Sequence, residues 1–351
     1  MRYALVLPVM LLLSAMGCAG PASPASAPSA AASPTTVPRT ASPPPVLPER
    51  INALYSSRNV DSLVFYIADR QGFWAQEGLS VALDYAAATA ANAAQLSGQA
   101  PVVASGGAEA IAAAAQGGDV RIIAGIFNST PFRLMAEPSI RTAADLRGKR
   151  IAITRPGSVT DMTARLAVEK LGLSPADVEF LALGDMRVLL TALTNGNVQA
   201  GMAYPPDTAP LEDLGFNTLY DPAREGFPFQ HKTVTVVGRW ADEHPEATDR
   251  LLRGVVRAIH FIRTEREATL AAVSEFIGVT DQRGLNEAYD EVILRLIPAE
   301  PYASVEGVRY ILDFLARDNP ALRDIDPARL IDHRWLQRLV DSGFIARLYG
   351  S

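Results

Sequence analysis

The sequence predicts an α/β protein of two lobes, each a mainly parallel sheet flanked by helices. Three observations carry this. Strand-like and helix-like segments alternate along the chain, polar glycine-rich turns recur where strands give way to helices, and the alternation restarts near residue 142. Of the 351 residues about three hundred belong to this pattern, enough for two domains. A formal net charge of -6 and a pI near 5.4 argue against a nucleic-acid partner.

Taken in order, 51–57 reads as a strand, Arg58-Asn59-Val60-Asp61 as a polar break, and 62–76 as a helix with Leu63, Tyr66, Ile67 and Phe73 on one face. Gly78 ends it. A strand over 79–85 follows, then a helix over 90–97 closed by Gly98, an apolar strand over 101–104, and a helix over 108–116 opened by Ser105-Gly106-Gly107. The strand 121–127 enters Asn128. After the restart, 142–146 is a small helix, 150–154 a strand, 162–171 a helix, 179–183 a strand, 186–193 a helix and 199–203 a strand ending at Tyr204-Pro205-Pro206. A weaker strand lies at 217–220 and a β-branched one at 233–237. From 245 onward the chain reads as helical, over 245–264, 265–276, 283–296, 304–317 and 327–348, punctuated by Pro298, Pro301 and Pro320. The most economical assembly returns this tail to the first lobe, giving 49–137 with 232–351 as lobe 1 and 138–231 as lobe 2.

Ahead of the lobes, Met1 and Arg2 precede an apolar run over 3–16 that ends at Gly17-Cys18, too short to span a bilayer. It reads as a signal peptide over 1–18, so the chain is expected outside the cytoplasm. Cys18 is the sole cysteine, and Gly17-Cys18 resembles the lipobox of bacterial lipoproteins, which implies lipidation at Cys18 and attachment to a membrane. Ala15 stands where that family usually has leucine, and a plain signal peptide cut near Ala15 or Ala19 remains the other reading. Residues 19–48 are almost wholly Pro, Ala, Ser and Thr, a composition that cannot recover its ordering entropy and predicts a disordered tether.

Several segments carry a resemblance to a known family. Gly72-Phe73-Trp74-Ala75-Gln76-Glu77-Gly78-Leu79 is similar to the GFF-x-x-EGL segment of substrate-binding proteins of the nitrate, sulfonate, taurine and thiamine-precursor ABC importers. Asp145-Leu146-Arg147-Gly148-Lys149-Arg150-Ile151-Ala152 resembles their DLKGKRIGV, followed as in the family by a glycine-serine turn, Gly157-Ser158. Residues 171–178 resemble LGLDPKDV, 192–200 resemble ALKAGQVDA, and Tyr204, Pro205 and Pro206 stand where the family has PP after its strand. The order matches over about 51–349. The resemblance implies a two-lobed periplasmic-binding-protein fold (type II) with two interlobe crossovers, a cleft that closes on a small solute, and ABC transporter permease subunits as partners. The protein is expected to act as a monomer without cofactor.

Four turns are expected to converge on the cleft. Asn59, Asp61 and Ser62 either cap the first helix or meet the ligand. Ser105, Gly106 and Gly107 bring backbone N–H groups close to a ligand, or form a tight structural turn. Gly157, Ser158, Thr160 and Asp161 repeat that logic in the second lobe; they lack the Lys-Ser or Lys-Thr of a Walker loop. Asp185 and Tyr204, with Pro205, complete an apolar wall that is equally readable as core. Asn128 and Phe127 are lesser candidates, and Phe227 and Phe229 are placed at the mouth. The acids Asp61, Asp161 and Asp185 against Arg58 and Arg155 tilt the expected solute toward neutral or cationic, although helix N-termini equally suit a sulfonate, carboxylate or nitrate.

His231, His244, His260 and His333 are scattered without ligand spacing, so no metal site is expected. No nucleophile elbow or cysteine-rich motif marks an enzyme. The alternatives are a pyrimidine-synthase-like or other enzyme on the same fold, and a ligand-sensing adaptor lipoprotein.

Overall fold

The computed structural model describes residues 49–350; the signal-peptide, lipidation and tether readings over 1–48 lie outside the described residues. The described residues build two five-stranded sheets. The first has the order β2-β1-β3-β10-β4, formed by β1 (Glu49–Tyr55), β2 (Leu79–Tyr85), β3 (Val102–Gly106), β4 (Val120–Phe127) and β10 (Lys232–Val237). The second has the order β7-β6-β8-β5-β9, formed by β5 (Arg133–Ala136), β6 (Arg150–Ile153), β7 (Glu179–Ala182), β8 (Ala200–Ala203) and β9 (Asn217–Tyr220).

In each sheet four strands run one way and one is reversed: β10 is antiparallel to β3 and β4, and β5 to β8 and β9. The reversed strands are the ones that follow a crossing. A strand that leaves one sheet at its carboxyl end delivers the chain to the facing end of the other sheet, so the next strand enters from that end and runs backwards.

Helices complete the layers. Around the first sheet α1 (Leu63–Arg70), α3 (Ala88–Leu96) and α4 (Gly107–Ala115) follow strands and α2 (Phe73–Gln76) follows α1, with α2 on β2 and α3 and α4 on β3 and β10. Around the second, α5 (Val159–Lys170) and α6 (Met186–Thr194) pack on β6 and β8, and α7 (Thr208–Asp213) follows β8. The tail holds α8 (Gly238–Glu243), α9 (Pro245–Thr264), α10 (Arg266–Ile277), α11 (Gln282–Glu287), a π-helical turn (Ala288–Ile293), α12 (Leu294–Leu296), α13 (Val305–Leu315), α14 (Arg334–Asp341) and α15 (Phe344–Leu348). It returns to the first sheet, where α9 packs on α1 and α2, and Ile331 with the Asp332 N–H (2.8 Å to the Ile122 carbonyl) covers the open edge of β4.

Two boundaries depart from the sequence reading. Arg133–Ala136 was assigned to the first lobe, but this four-residue strand pairs with β8 and β9, so the first crossing falls at 128–132. The tail is not confined to the first sheet either. Arg283 on α11 reaches Asp213 at the end of α7 (2.9 Å), and Glu287 reaches Arg133 on β5 (2.5 Å). The helix predicted over 62–76 breaks at Gly72 (φ 66°) and the one over 327–348 at Gly343 (φ 67°), both in the left-handed region.

The corner at 72–79 shows why those residues are there. Trp74 is buried edge-on to Phe65 (5.3 Å) and donates its indole N–H to the Leu251 carbonyl of α9 (3.1 Å). Gly254 makes the approach possible: a Cβ there would fall 2.2 Å from Trp74 Cδ1. Gly254→Ala is therefore expected to destabilise the fold by about 2 to 3 kcal/mol through overpacking, read as a lower midpoint in urea unfolding.

Candidate functional site

The carboxyl ends of the forward strands and the amino ends of the reversed strands meet at one cleft of about 170 Å3. Ser56, Ser57, Asn59 and Asp61 follow β1, Ala88 opens α3, and Gly106 and Glu109 lie where β3 passes into α4. From the second sheet come Thr154, Arg155, Ser158, Val159 and Thr160 after β6, Met186 after β7 and Tyr204 after β8. Phe132 precedes β5, and His231 and Lys232 stand at the head of β10. Open α/β sheets place ligands at such strand ends.

On the first side lies a charge network. Lys232 is buried (1 % side-chain exposure), and its ammonium donates to Ser57 Oγ (3.0 Å) and Ser56 Oγ (3.4 Å), with Asp61 Oδ1 at 3.7 Å. Ser57 Oγ donates in turn to Asp61 Oδ1 (2.5 Å), and His231 Nε2 lies 3.5 Å from Asp61 Oδ2. Burial alone would raise the Asp61 pKa, but the charge of Lys232, then His231 and Ser57, reverse this and hold it well below the usual carboxylate range. Burial pulls the Lys232 pKa below its ordinary value, against the pull of Asp61 and Glu109. The His231 ring sits among Phe127 (5.8 Å, stacked), Phe132 (5.7 Å) and Phe229 (6.5 Å).

On the second side, Ser158 caps α5. Its hydroxyl donates to the Arg155 carbonyl (2.7 Å) and lies 3.0 Å from Thr154 Oγ1 and 2.9 Å from Thr160 Oγ1. These hydroxyls sit in the positive field of the helix N-terminus. Arg155 reaches back across the cleft to Thr89 Oγ1 (3.3 Å) and Glu109 (3.5 Å). Tyr204, 3 % exposed, meets Phe132 edge-on at 4.8 Å. Burial, then the charges of Asp61 and Asp207, push its pKa well above the usual phenol value. Among the described residues the buried Tyr204 hydroxyl and His231 Nδ1 have no hydrogen-bond partner, while His231 Nε2 faces Asp61 Oδ2 at 3.5 Å.

Of the residues singled out from sequence, Asn59, Asp61, Gly106, Ser158, Thr160 and Tyr204 line the cleft. The others are placed elsewhere. Ser105 faces the sheet interior, 3.2 Å from Thr233 Oγ1 and 3.4 Å from Thr235 Oγ1. Ser62 bonds Ser57 (2.8 Å) behind the lining. Gly107 serves packing, since a Cβ there would fall 1.7 Å from the Gln230 carbonyl oxygen. Gly157 donates its N–H to Asp161 (2.8 Å), and Asp161 is also held by Arg165 (2.7 Å) on the next turn of α5. Asp185 is an exposed cap of α6, bonded to the Arg187 N–H (2.8 Å). Asn128 donates to the Tyr302 carbonyl (2.7 Å) and borders a different hollow. Arg58 covers the Tyr85 ring (4.7 Å), and Phe227 and Phe229 pack on Tyr310 rather than at the cleft mouth.

Sequence reasoning passed over Ser57, Glu109, His231 and Lys232. One signal was available: a lysine heading the otherwise β-branched and buried run of β10 is a cation in a place built for apolar residues.

Two five-stranded sheets whose strand ends face a shared cleft, joined by two crossings, define the periplasmic-binding-protein fold. Within it, the chain belongs to the NMT1/THI5-like family, whose model matches residues 59–268. A binding protein of Brucella abortus is 27% identical over 171 residues, covering 46% of this chain and 51% of that one, so the chain spans about half the length of the curated relatives it matches. The alkanesulfonate-binding protein SsuA from Xanthomonas axonopodis, solved with MOPS, superposes with a TM-score of 0.66 at 19% identity, over 82% of this chain and 99% of its own. The desulfurization enzyme DSZB superposes at 0.62 with 16% identity, over 84% and 99%. The same fold therefore carries both binding proteins and an enzyme. The family and fold read from the motifs at 72–79, 145–152 and 171–178 are borne out. Among the described residues no helix is long and apolar enough to cross a membrane.

Two expectations follow. Lys232→Met leaves Asp61 buried without its counter-charge and should cost about 3 to 5 kcal/mol, while the double change with Asp61→Asn should recover more than half of that loss in a denaturation cycle. Asp207 is pushed up to about 6 by burial, from an ordinary 3.8. An acid whose folded pKa is raised pays for ionisation above that value, and the cost fades as pH falls toward 3.8. Asp207→Asn should then stabilise the protein at pH 7.5 by on the order of 2 to 3 kcal/mol, with no gain at pH 4, in thermal unfolding at both pH values.

Proposed function

We propose that this chain is an extracytoplasmic solute-binding protein, non-enzymatic, that captures a small organic solute or oxyanion of the sulfonate, nitrate, taurine or thiamine-pyrimidine class and delivers it to the permease subunits of an ABC importer. Lipidation at Cys18, with 19–48 as a tether, would hold it at the outer face of the cell membrane. The observation that carries the reading is that Tyr204 and His231 line the cleft while the Tyr204 hydroxyl and His231 Nδ1 are buried without a hydrogen-bond partner among the described residues. Such groups cost about 1 to 3 kcal/mol each when nothing meets them, and a bound solute between the lobes removes that cost.

Ser57 and Lys232, 3.0 Å apart, resemble a nucleophile and its base, but their hydrogen bonds favour a structural role. The Ser57 hydroxyl donates its hydrogen bond to Asp61 and accepts one from the Lys232 ammonium, so the serine hydrogen points at the carboxylate and not at the amine.

A thermal-shift and calorimetric screen of sulfonates, nitrate, taurine and pyrimidines tests the reading. A member of the panel should raise the melting temperature, with stabilisation of about 2.7 kcal/mol at a hundred times its Kd. Tyr204→Phe should weaken that solute roughly tenfold without lowering the stability of the free protein, because only an unpartnered hydroxyl is lost. Asp185→Ala should leave binding unchanged. Silence across the whole panel would remove the solute-binding reading.

A further inference from the structure

The cleft contains two cations and two carboxylates, and each cation already faces an acid. Lys232 has Asp61 at 3.7 Å on its own side. Arg155 comes from the turn after β6 and meets Glu109 of α4 at 3.5 Å, so this second pair spans the cleft. Glu109 lies over the Gly106 backbone, where any side chain would collide with it: a Cβ on Gly106 would fall 2.4 Å from Glu109 Oε2. Its charge is also felt at Lys232. Behind Tyr204 stands a third acid, Asp207. The groups that remain unmet are the Tyr204 hydroxyl and His231 Nδ1, since His231 Nε2 already faces Asp61 at 3.5 Å.

A bare oxyanion entering this cleft finds no uncommitted ammonium or guanidinium. To bind Arg155 it must displace Glu109, and the released carboxylate then faces the incoming charge. An uncharged or zwitterionic solute meets neither obstacle. Its acceptor end can lie at the α5 N-terminus while Tyr204 and His231 are satisfied at the other side. Resting on the solute-binding reading above, we propose that the cleft selects a solute of zero net charge, and that Glu109 is the specificity-determining residue because it occupies Arg155 across the cleft. Arg155 is half exposed (49 %), so the pair adds little to stability and its removal changes selectivity without unfolding the chain.

Calorimetry at low ionic strength with matched probes tests this: taurine against isethionate, β-alanine against 3-hydroxypropionate, and cytosine against cytosine-5-carboxylate. Within each pair the skeleton is kept and the net charge differs by one. Among pairs that bind, the net-neutral member should be preferred. Glu109→Gln should raise the affinity of the anionic member roughly tenfold and narrow the preference, while Arg155→Gln should widen it. Overlaid unfolding curves of the three free proteins establish that the variants are folded, and Glu109→Asp, which keeps the charge, should keep the preference. An anion bound as tightly as its neutral partner by the unaltered protein, or a ratio unmoved by Glu109→Gln, would overturn the selectivity assignment and leave solute binding standing. Failure of every probe to bind, together with silence in the wider panel, would end both.

Discussion

Lys232 opens the strand that brings the chain back from the second sheet, and its ammonium is fully buried against Asp61, which lies in the turn that starts α1. Burying a cation is expensive unless a counter-charge and hydrogen-bonding oxygens surround it. Here Ser56, Ser57 and Asp61 supply them, and they belong to the first strand's exit turn, more than 170 residues earlier in the chain. Neither segment can shift without exposing the other's charge to an apolar interior. The return crossing is thereby tied to the first turn, and His231, one residue before Lys232, is carried into the cleft with it. Gln230 extends the tie, its amide donating to the Phe127 and Lys232 carbonyls and its carbonyl oxygen resting on Gly107.

That tie gains its meaning from topology. Because each crossing joins facing ends of the two sheets, β5 and β10 run against their neighbours, and both sheets turn their loop-bearing ends to the same hollow. Residues from eight points along the chain reach the cleft for this reason. No single turn is a binding motif; the crossing strands assemble one from turns that each have an ordinary structural explanation. Ser158 illustrates this double duty, since its hydroxyl accepts from the Asp161 N–H in the first turn of α5 while its neighbours' hydroxyls stay at the lining.

Much of the fold was legible because strand-helix alternation is written in local periodicity. The restart after the first four strands, the β-branched run of β10 and the Pro-led helix α9 all stood out. The four-residue β5 did not, since its segment is buried on both faces and too short for a two-residue period to register. The site was legible where a strand ran directly into a helix, as at Ser158 and Thr160. It was misread where the parity of a strand decides direction, and so Ser105, on a strand, turns inward while the next residue, Gly106, meets the cleft. Asp161 was misread for a simpler reason: Arg165 stands four residues on, and a helix brings such a pair together. His231 and Lys232 were out of reach, because their proximity to Asp61 is a property of the crossing and not of any local pattern.

The residues that carry the family likeness and the residues that line the cleft are largely different sets. Gly72, Gly148 and Gly172 hold left-handed turns, Asp145 closes a capping box with Thr142, Glu77 pairs with Arg257 (2.6 Å), and Trp74 is seated against α9. Each is a corner of the scaffold, fixed by backbone sterics and helix-end chemistry that any member of the fold must solve. Among the lining residues Ser158 and Tyr204 fall on quoted family turns. The likeness speaks to the architecture more directly than to the solute. The identity of a solute for this cleft must therefore be argued from Asp61, Glu109, Arg155, Tyr204, His231 and Lys232, whose charges and hydrogen-bonding groups line it.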